Sequence, residues 1–270
     1  MKRRIRTIFG AVLLSGLVYG PAAMACSTDG WLGGVAQIPP NGLADSPPVV
    51  SRYSGFCALE VTDTSHVQSN AASDARYRGR FYVLDGLSGS GDVEIFEAYA
   101  DESANTPLFK IVFDGSQFTF DASSAVGGGT SAPVAAADGW NLVEFDWQAD
   151  GSFSYWVNSD ANVDPAAGSV NAGTGVVESV RLGAPNGLGG QSGKLTFDAF
   201  ESHRATPVGP LLAADANNDE TVNILDLGVV RIELLNPGSD ELLAPGQPDC
   251  NSDGSINILD VGCVRLILLN

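Results

Sequence analysis

The feature that most constrains the fold of this chain is a repeat near its C-terminus. Residues 215–236 and 249–270 align without a gap at an offset of 34 residues, and 13 of the 22 aligned positions are identical. Each copy begins with a run rich in Asp and Asn and continues into an apolar run. Identity at a fixed offset indicates an internal duplication, so both copies should form the same unit.

The second copy has the spacing of a twelve-residue calcium loop. Loop positions 1, 3, 5, 7, 9 and 12 hold Asp249, Asn251, Asp253, Ser255, Asn257 and Asp260. Calcium is a hard cation that takes about six to eight oxygen ligands, and a tight loop presents alternate residues to it. Gly254 at position 6 permits the sharp bend of such a loop. The pattern therefore predicts a calcium site.

The first copy predicts a second and weaker calcium site. The equivalent positions hold Asp215, Asn217, Asp219, Thr221, Asn223 and Asp226. Glu220 replaces the glycine at position 6, and we expect its side chain to strain the bend. An acidic turn before a helix is the alternative for one loop, but two loops at a fixed offset favour metal binding.

Each loop runs directly into the pattern Ile-Leu-Asp-(Leu or Val)-Gly-(Val or Cys)-Val-Arg, without room for the entering helix of an EF-hand. Position 12 is Asp in both copies, where an EF-hand has Glu. These units, spanning residues 215–270, resemble the dockerin type I repeat, an F-hand pair. The resemblance implies calcium binding and docking to a cohesin-like domain through a helix surface, often through either near-symmetric copy.

The resemblance also implies, by position, a set of partner-binding residues. They are Ile224, Leu225, Arg231 and Ile232 in the first copy, and Ile258, Leu259, Arg265 and Leu266 in the second. The apolar members suit a partner interface. Packing of the two helices against each other is the alternative for each of them.

A different pattern occupies residues 35 to 202, where short alternating runs are separated by Gly, Asn, Asp and Ser. In residues 141–147 every second residue is apolar, as in a strand with one face in a core. At least eight strands are predicted, at residues 78–83, 92–99, 108–113, 117–121, 140–148, 152–157, 176–182 and 194–200. So many strands in one region predict two packed sheets.

Four segments of this region, at residues 140–147, 153–158, 180–184 and 195–200, resemble the concanavalin A-like, laminin-G-like jelly roll. That resemblance implies binding of glycans or proteins, and hydrolysis of glycosides in some members. The predicted fold class is mainly β: a jelly-roll β-sandwich followed by a small α-helical pair of calcium-binding F-hand repeats. The predicted boundaries are 1–25 for a signal peptide, 26–204 for the jelly roll, 205–211 for a linker and 212–270 for the dockerin-like module.

The segment 91–97 resembles the E-x-D-x-x-E strand of jelly-roll glucanases. The resemblance implies a nucleophile at Asp92, a bridging acid at Glu94 and an acid/base at Glu97. The first two differ from the acids of that motif, and on a regular strand Asp92 and Glu97 face opposite sides unless a bulge intervenes. A solvated strand face is therefore the favoured interpretation, and the prediction leans away from an enzyme.

Aromatic side chains are the sequence's candidates for stacking on sugar rings in the sandwich. They are Trp31, Tyr99, Trp147, Tyr155 and Trp156. Most aromatic residues of a sandwich lie in its core, so a structural role is the favoured interpretation for each.

Charge and an N-terminal signal narrow the class of partner. The chain has 14 Lys and Arg against 32 Asp and Glu, a net charge of −18. This balance argues against nucleic acid and anionic membrane surfaces, and it favours divalent cations. A basic start, an apolar run at residues 8–19 and the sequence Ala23-Met24-Ala25 predict a cleaved signal peptide. No other run approaches the about 20 apolar residues of a transmembrane segment.

Export predicts a secreted or cell-surface protein and permits disulfides. Lipidation of Cys26 is disfavoured because that signal usually has Leu three residues earlier, where this chain has Ala23. The four cysteines allow three pairings, and keeping each bridge within one domain favours Cys26 with Cys57 and Cys250 with Cys263. Buried free thiols are the alternative.

The sequence thus predicts an exported protein whose dockerin-like module docks a carbohydrate-binding or adhesive jelly roll onto a cohesin-type partner or cell-surface scaffold, in polysaccharide recognition or breakdown. The alternatives are a secreted glycoside hydrolase of the jelly-roll glucanase type carrying the same module, and a calcium-clamped cap with a structural role alone.

Overall fold

The structure is a computed structural model that describes residues 53, 58–101, 106–125, 127–217, 219, 221–235 and 246–269. The predicted signal peptide at 1–25, Trp31 and the pairing of Cys26 with Cys57 lie outside these residues.

The described residues form twelve strands followed by two helices. The strands are β1 (Leu59–Val61), β2 (His66–Asp74), β3 (Arg76–Ser88), β4 (Val93–Tyr99), β5 (Phe109–Phe113), β6 (Gln117–Asp121), β7 (Val134–Ala135), β8 (Trp140–Gln148), β9 (Ser152–Val157), β10 (Gly168–Asn171), β11 (Val177–Gly183) and β12 (Ser192–His203). The helices are α1 (Ile224–Leu235) and α2 (Ile258–Leu269).

The strands form two six-stranded sheets that pack as a sandwich. Sheet A has the order β2-β11-β4-β5-β6-β7, and sheet B has the order β1-β12-β3-β8-β9-β10. All of the paired strands run antiparallel. The predicted fold class, a β-sandwich followed by a helical pair, is therefore confirmed.

Aromatic side chains fill the space between the sheets. Phe109 of sheet A lies with its ring centre 4.4 Å from that of Phe153 and 5.3 Å from that of Phe145, both in sheet B. Tilted and edge-on contacts of this kind stabilise a core beyond the burial of area alone. The side chains of β3 alternate between the two faces of the sheet. Phe81 and Val83 enter the core, while Arg80 and Tyr82 point to the outer face.

The helical pair has a small core of its own. Val230 of α1 and Val264 of α2 are fully buried, together with Ala214, Ala216 and Cys250. Neither helix among the described residues is long and apolar enough to cross a membrane.

Residues 205–211, predicted as a linker, run along the outer face of sheet B. The Glu144 carboxylate accepts the backbone N–H groups of Val208 and Gly209, at 2.8 and 2.9 Å. Arg80 donates to the Gly209 carbonyl at 3.0 Å, and the Leu211 N–H donates to the Tyr82 hydroxyl at 2.9 Å. This segment is therefore held on the sandwich by side chains of β3 and β8.

Candidate functional site

The second loop is wound around its own carboxylates. Asp249, at position 1, accepts the N–H groups of Asp253 and Gly254, at 3.1 and 2.8 Å. Gly254 has a φ of +90°, a left-handed conformation that glycine adopts without strain. Ser255 donates its N–H to Asp253 at 2.9 Å, which continues the turn to position 7.

Position 12 links each loop to its helix. The Asp260 carboxylate accepts the N–H groups of Asn257 at 2.7 Å and Asn251 at 3.3 Å. The Asn257 side chain in turn accepts the Leu259 N–H at 2.8 Å, so Asn257 and Asp260 form a capping box at the start of α2. The loop carboxylate that should bind calcium therefore also fixes where the helix begins.

The first loop repeats this arrangement. Asp226 accepts the N–H groups of Asn223 at 2.7 Å and Asn217 at 3.1 Å, and Asn223 caps α1 through the Leu225 N–H at 2.7 Å. Asp215 accepts the Asp219 N–H at 3.1 Å. Glu220, which we predicted to strain this loop, lies outside the described residues.

Backbone hydrogen bonds join the first loop to the residues just before the second loop. The Gln247 N–H donates to the Asp215 carbonyl at 2.8 Å, and the Gly246 N–H donates to the Ala216 carbonyl at 3.0 Å. The Gln247 side chain accepts the Ala214 N–H at 2.8 Å. The two loops therefore lie side by side as one unit.

The electrostatics of the second loop suit a divalent cation. Asp249 and Asp260 are fully buried. Burial, with the nearby charges of Asp260 and Asp253, raises the pKa of Asp249 to about 7, although its bond from Gly254 opposes the rise. Burial also raises the pKa of Asp260. Among the described residues no three His, Cys, Asp or Glu side chains converge as a metal cluster. The donor set is nevertheless all oxygen and acidic, which fits calcium.

A disulfide fastens the second loop to its helix. Cys250, at loop position 2, is bonded to Cys263 of α2, with the two Cα atoms 5.9 Å apart. This is the pairing that the within-domain argument favoured for these two cysteines.

The eight side chains assigned to partner binding are exposed. Ile224 and Leu225 are 67% and 61% exposed, and their repeat equivalents Ile258 and Leu259 are 70% and 60% exposed. Arg231, Ile232, Arg265 and Leu266 are exposed as well. Packing between the helices instead uses Leu227, Val230, Val261, Val264 and Leu268. We call the exposed set of eight residues the helix face.

A second candidate site lies on the outer face of sheet A. Strand β4 has a bulge between Glu94 and Phe96 in its pairing with β5. As a result Glu94 and Glu97 share one side of the strand, and the Asn186 amide donates to both carboxylates. Asp92 precedes β4 and is exposed, and it lines the same groove as Glu94. The bulge that a catalytic arrangement would need is therefore present, but it joins Glu94 with Glu97.

The two carboxylates of this pair differ in electrostatic environment. Burial raises the pKa of Glu97, which is 2% exposed, and the Glu94 charge adds to the rise against the bond from the Tyr99 hydroxyl. Burial would also raise the pKa of Glu94, but hydrogen bonds from Lys110 and Asn186 outweigh it and hold that pKa below its usual value.

Two of the four aromatic candidates among the described residues lie in the core. Trp147 and Tyr155 are buried between the sheets. Tyr99 is buried on the outer side of sheet A, where the Arg181 guanidinium covers its ring at 4.6 Å from the ring centre. Trp156 is half-buried, and its indole N–H donates to the Asp164 carbonyl at 3.2 Å.

Fold and site together define a modular protein: a β-sandwich joined to a pair of loop-helix units with the geometry of F-hands. Residues 213–269 match the family model of the dockerin type I domain, so this module is a dockerin type I domain. Dockerin domains bind calcium and dock onto cohesins. The resemblance drawn from the repeat is confirmed.

Solved structures with similar strand arrangements are distant from this chain. The cellulose-induced protein Cip1 is 16% identical with a TM-score of 0.44, over 67% of this chain and 90% of that chain. The botulinum neurotoxin serotype G binding domain is 7% identical with a TM-score of 0.40, over 63% of this chain and 43% of that chain. Trypanosoma rangeli sialidase is 15% identical with a TM-score of 0.40, over 64% and 30%. No curated protein matches the chain.

Proposed function

We propose that this chain is an exported, calcium-binding modular protein whose dockerin domain attaches the β-sandwich to a cohesin on a scaffold or cell surface. In this proposal the loop residues at positions 1, 3, 5, 7, 9 and 12 hold one calcium ion in each copy. The first loop is expected to bind more weakly, because it has Glu220 where the second has Gly254.

The observation that carries the proposal is the helix face. Four large aliphatic side chains, Ile224 and Leu225 with Ile258 and Leu259, are at least 60% exposed and are related by the repeat. Each pair directly follows an Asn cap at the end of a loop. Neighbouring large apolar side chains that are exposed in each copy mark a surface for a protein partner. Since calcium would stabilise the loops that start both helices, it would also stabilise this face.

For the sandwich we propose carbohydrate binding on the outer face of sheet A. The groove there has a volume of about 420 Å³ and is lined by hydrogen-bonding side chains, among them Glu94, Lys110, Gln117, Thr119 and Asn186. Carboxylate, amide and ammonium groups are the donors and acceptors that bind sugar hydroxyls. Residues 205–211 lie on sheet B and therefore do not cover this groove on sheet A.

The test of docking uses cohesin domains immobilised on a sensor surface and the full chain in solution. We expect binding in calcium and its loss in chelator. The double variant Leu225→Asp with Leu259→Asp should bind at least about thirtyfold more weakly, because buried apolar anchors of an interface cost about 2 kcal/mol or more when lost. Each single variant should lose less if either copy can dock.

A matched control is Leu235→Asp. Leu235 is 79% exposed at the end of α1 but is not part of the helix face. Its variant should bind as the unchanged chain does. Equal losses for Leu235→Asp and the double variant, or full binding by the double variant, would show that the helix face is not the docking surface.

A second candidate function is glycoside hydrolysis at the sheet A groove, which Glu94 lines and to which Glu97, 2% exposed, is joined through the Asn186 amide. It is favoured by the carboxyl pair, because a group with a raised pKa beside one with a lowered pKa is the arrangement of a general acid and a base. If the pair is catalytic, the unchanged chain should release reducing sugar from β-glucans, and Glu97→Gln should remove at least about 99% of the activity. Asp85→Asn is a control on an exposed strand residue. Absence of sugar release by the unchanged chain on a panel of polysaccharides would leave binding as the role of the groove.

A further inference from the structure

The second calcium loop lies against the sandwich. The Ser252 carbonyl, at loop position 4, accepts the Trp140 N–H from the start of β8 at 2.9 Å. Ser252 also has a hydrogen bond with the Tyr53 side chain. Gly254, at loop position 6, is so close to β3 that a Cβ on it would be 3.0 Å from the Leu84 Cδ1. Loop positions 4 and 6 thus meet the end of sheet B.

A glycine of the sandwich makes room for this loop. Gly139 has a φ of +80°, and a Cβ on it would overlap the Ser252 carbonyl oxygen and lie 2.9 Å from the Asp253 Cα. The position therefore requires glycine both for its backbone conformation and for the close approach of the loop. An apolar cluster of Tyr53, Tyr82, Trp140 and Leu142 lies beside this contact.

These contacts fall between the residues that would hold calcium. Ser252 and Gly254 alternate with Asn251, Asp253 and Ser255, at loop positions 3, 5 and 7. The backbone that calcium would order is therefore the same backbone that contacts sheet B. Contacts that need the ordered loop raise calcium affinity, and calcium strengthens the contacts by the same factor.

We propose that calcium in the second loop fixes the dockerin domain against the end of sheet B, so that the two domains form one rigid unit only in calcium. This inference rests on the calcium binding of the proposed function. The helix face stays available in the docked arrangement, since Ile258 and Leu259 remain at least 60% exposed. Calcium would then set the orientation of the sheet A groove relative to the bound partner.

The experiment compares the full chain with a wedge variant, Gly139→Asn, and a matched control, Gly127→Asn. Asn tolerates a left-handed backbone better than other residues with a side chain, so the wedge acts mainly through its Cβ. Gly127 has a φ of +77° and nothing within 4 Å of a built Cβ, so the same substitution there meets open space. Neither substitution changes charge, which removes electrostatic effects on calcium.

Calcium titration by calorimetry and small-angle X-ray scattering give the two readouts. We expect the wedge to weaken one of two calcium sites by about fivefold or more, the lower end of typical coupling between sites. The scattering of the unchanged chain should show a larger radius of gyration in chelator than in calcium. The wedge variant should keep the larger radius in calcium, and the control should behave as the unchanged chain.

Calcium binding by the unchanged chain without a change in radius of gyration would overturn this inference and leave the proposed function intact. Unchanged calcium affinity in a folded wedge variant would overturn it as well. Absence of any calcium binding would overturn both. Should the wedge variant fail to fold, Tyr53→Phe, which removes the hydroxyl that bonds Ser252 and Tyr82, replaces it and should weaken the same site by a smaller factor.

Discussion

Replacing Asp260 by Asn should remove about 3 to 4 kcal/mol of unfolding free energy from the C-terminal domain in calcium. That is the stabilisation expected from a ligand at about a hundred to a thousand times its Kd. Asp260 occupies loop position 12 and is fully buried, where its carboxylate accepts the Asn257 and Asn251 N–H groups. Asn has the same shape and can still accept at one oxygen, but it lacks the charge that calcium needs at this position.

In chelator the same substitution should not lower the unfolding free energy of the domain. Without a cation, the buried Asp260 carboxylate is close enough to Asp253 and Asp249 for their charges to repel. A neutral Asn removes that repulsion, so the variant should be at least as stable as the unchanged chain. Thermal unfolding in calcium and in chelator measures both effects with the same samples.

The repeat supplies a matched control for this prediction. Asp226→Asn makes the same change at position 12 of the first loop, where the carboxylate caps α1 in the same way. Its loss in calcium should be smaller, because we expect the first loop to bind more weakly. If Asp260→Asn lost equal stability in calcium and in chelator, Asp260 would be a helix cap only.

The C-terminal domain could be predicted from the sequence because its interactions are local. Asn257 and Asp260 are three residues apart, and their capping box follows from this spacing. The start of α2 at Ile258 and its apolar face therefore follow from residues that are neighbours in the chain. The exposure of Ile258 and Leu259 is different, since the apolar pattern alone allowed core or partner surface. In the structure other apolar side chains pack the two helices together, and Ile258 and Leu259 are left exposed.

In the sandwich, the alternation of apolar residues located eight strands but missed four. Strand β2 has the sequence HVQSNAASD, in which small and polar residues obscure the period of two. Among the described strands it lies at an edge of sheet A and pairs with β11. Strands β1, β7 and β10 have two to four residues, too few to show a period.

Contacts between distant segments were beyond the sequence. Asn186 is 92 residues from Glu94, and nothing in either local pattern indicates that its amide joins Glu94 to Glu97. The contact between Gly139 and the second loop is of the same kind. A glycine before a strand is an ordinary turn signal. Only the folded chain shows that Gly139 lies against Ser252 and Asp253 of the second loop.

Removal of the Cys250–Cys263 bond should be the second large effect, a loss of about 3 kcal/mol in the unfolding free energy of the C-terminal domain. The two cysteines are 13 residues apart, and closing a loop of about 15 residues restricts the unfolded chain by about that amount. The test substitutes both cysteines by Ala and measures denaturant unfolding in saturating calcium. Cys250 is 6% exposed, so Ala keeps an apolar group in the domain core.

The location of the bond predicts which segments should become less stable when it is removed. It ties loop position 2 to the middle of α2, so the chain between the two cysteines contains the proposed calcium ligands at positions 3 to 12. Hydrogen exchange should therefore rise in α2 and the second loop and stay unchanged in β4 and β5 of sheet A, which do not contact the loop through the hydrogen bonds described above. Reduction of the unchanged chain is the control for the C-terminal domain, because it opens the bond without replacing either cysteine, and it should reproduce the pattern in α2 and the second loop. Exchange that rose equally in α1 and α2 would mean that the bond stabilises the helical pair as a whole, since α1 shares the core of Val230 and Val264 with α2.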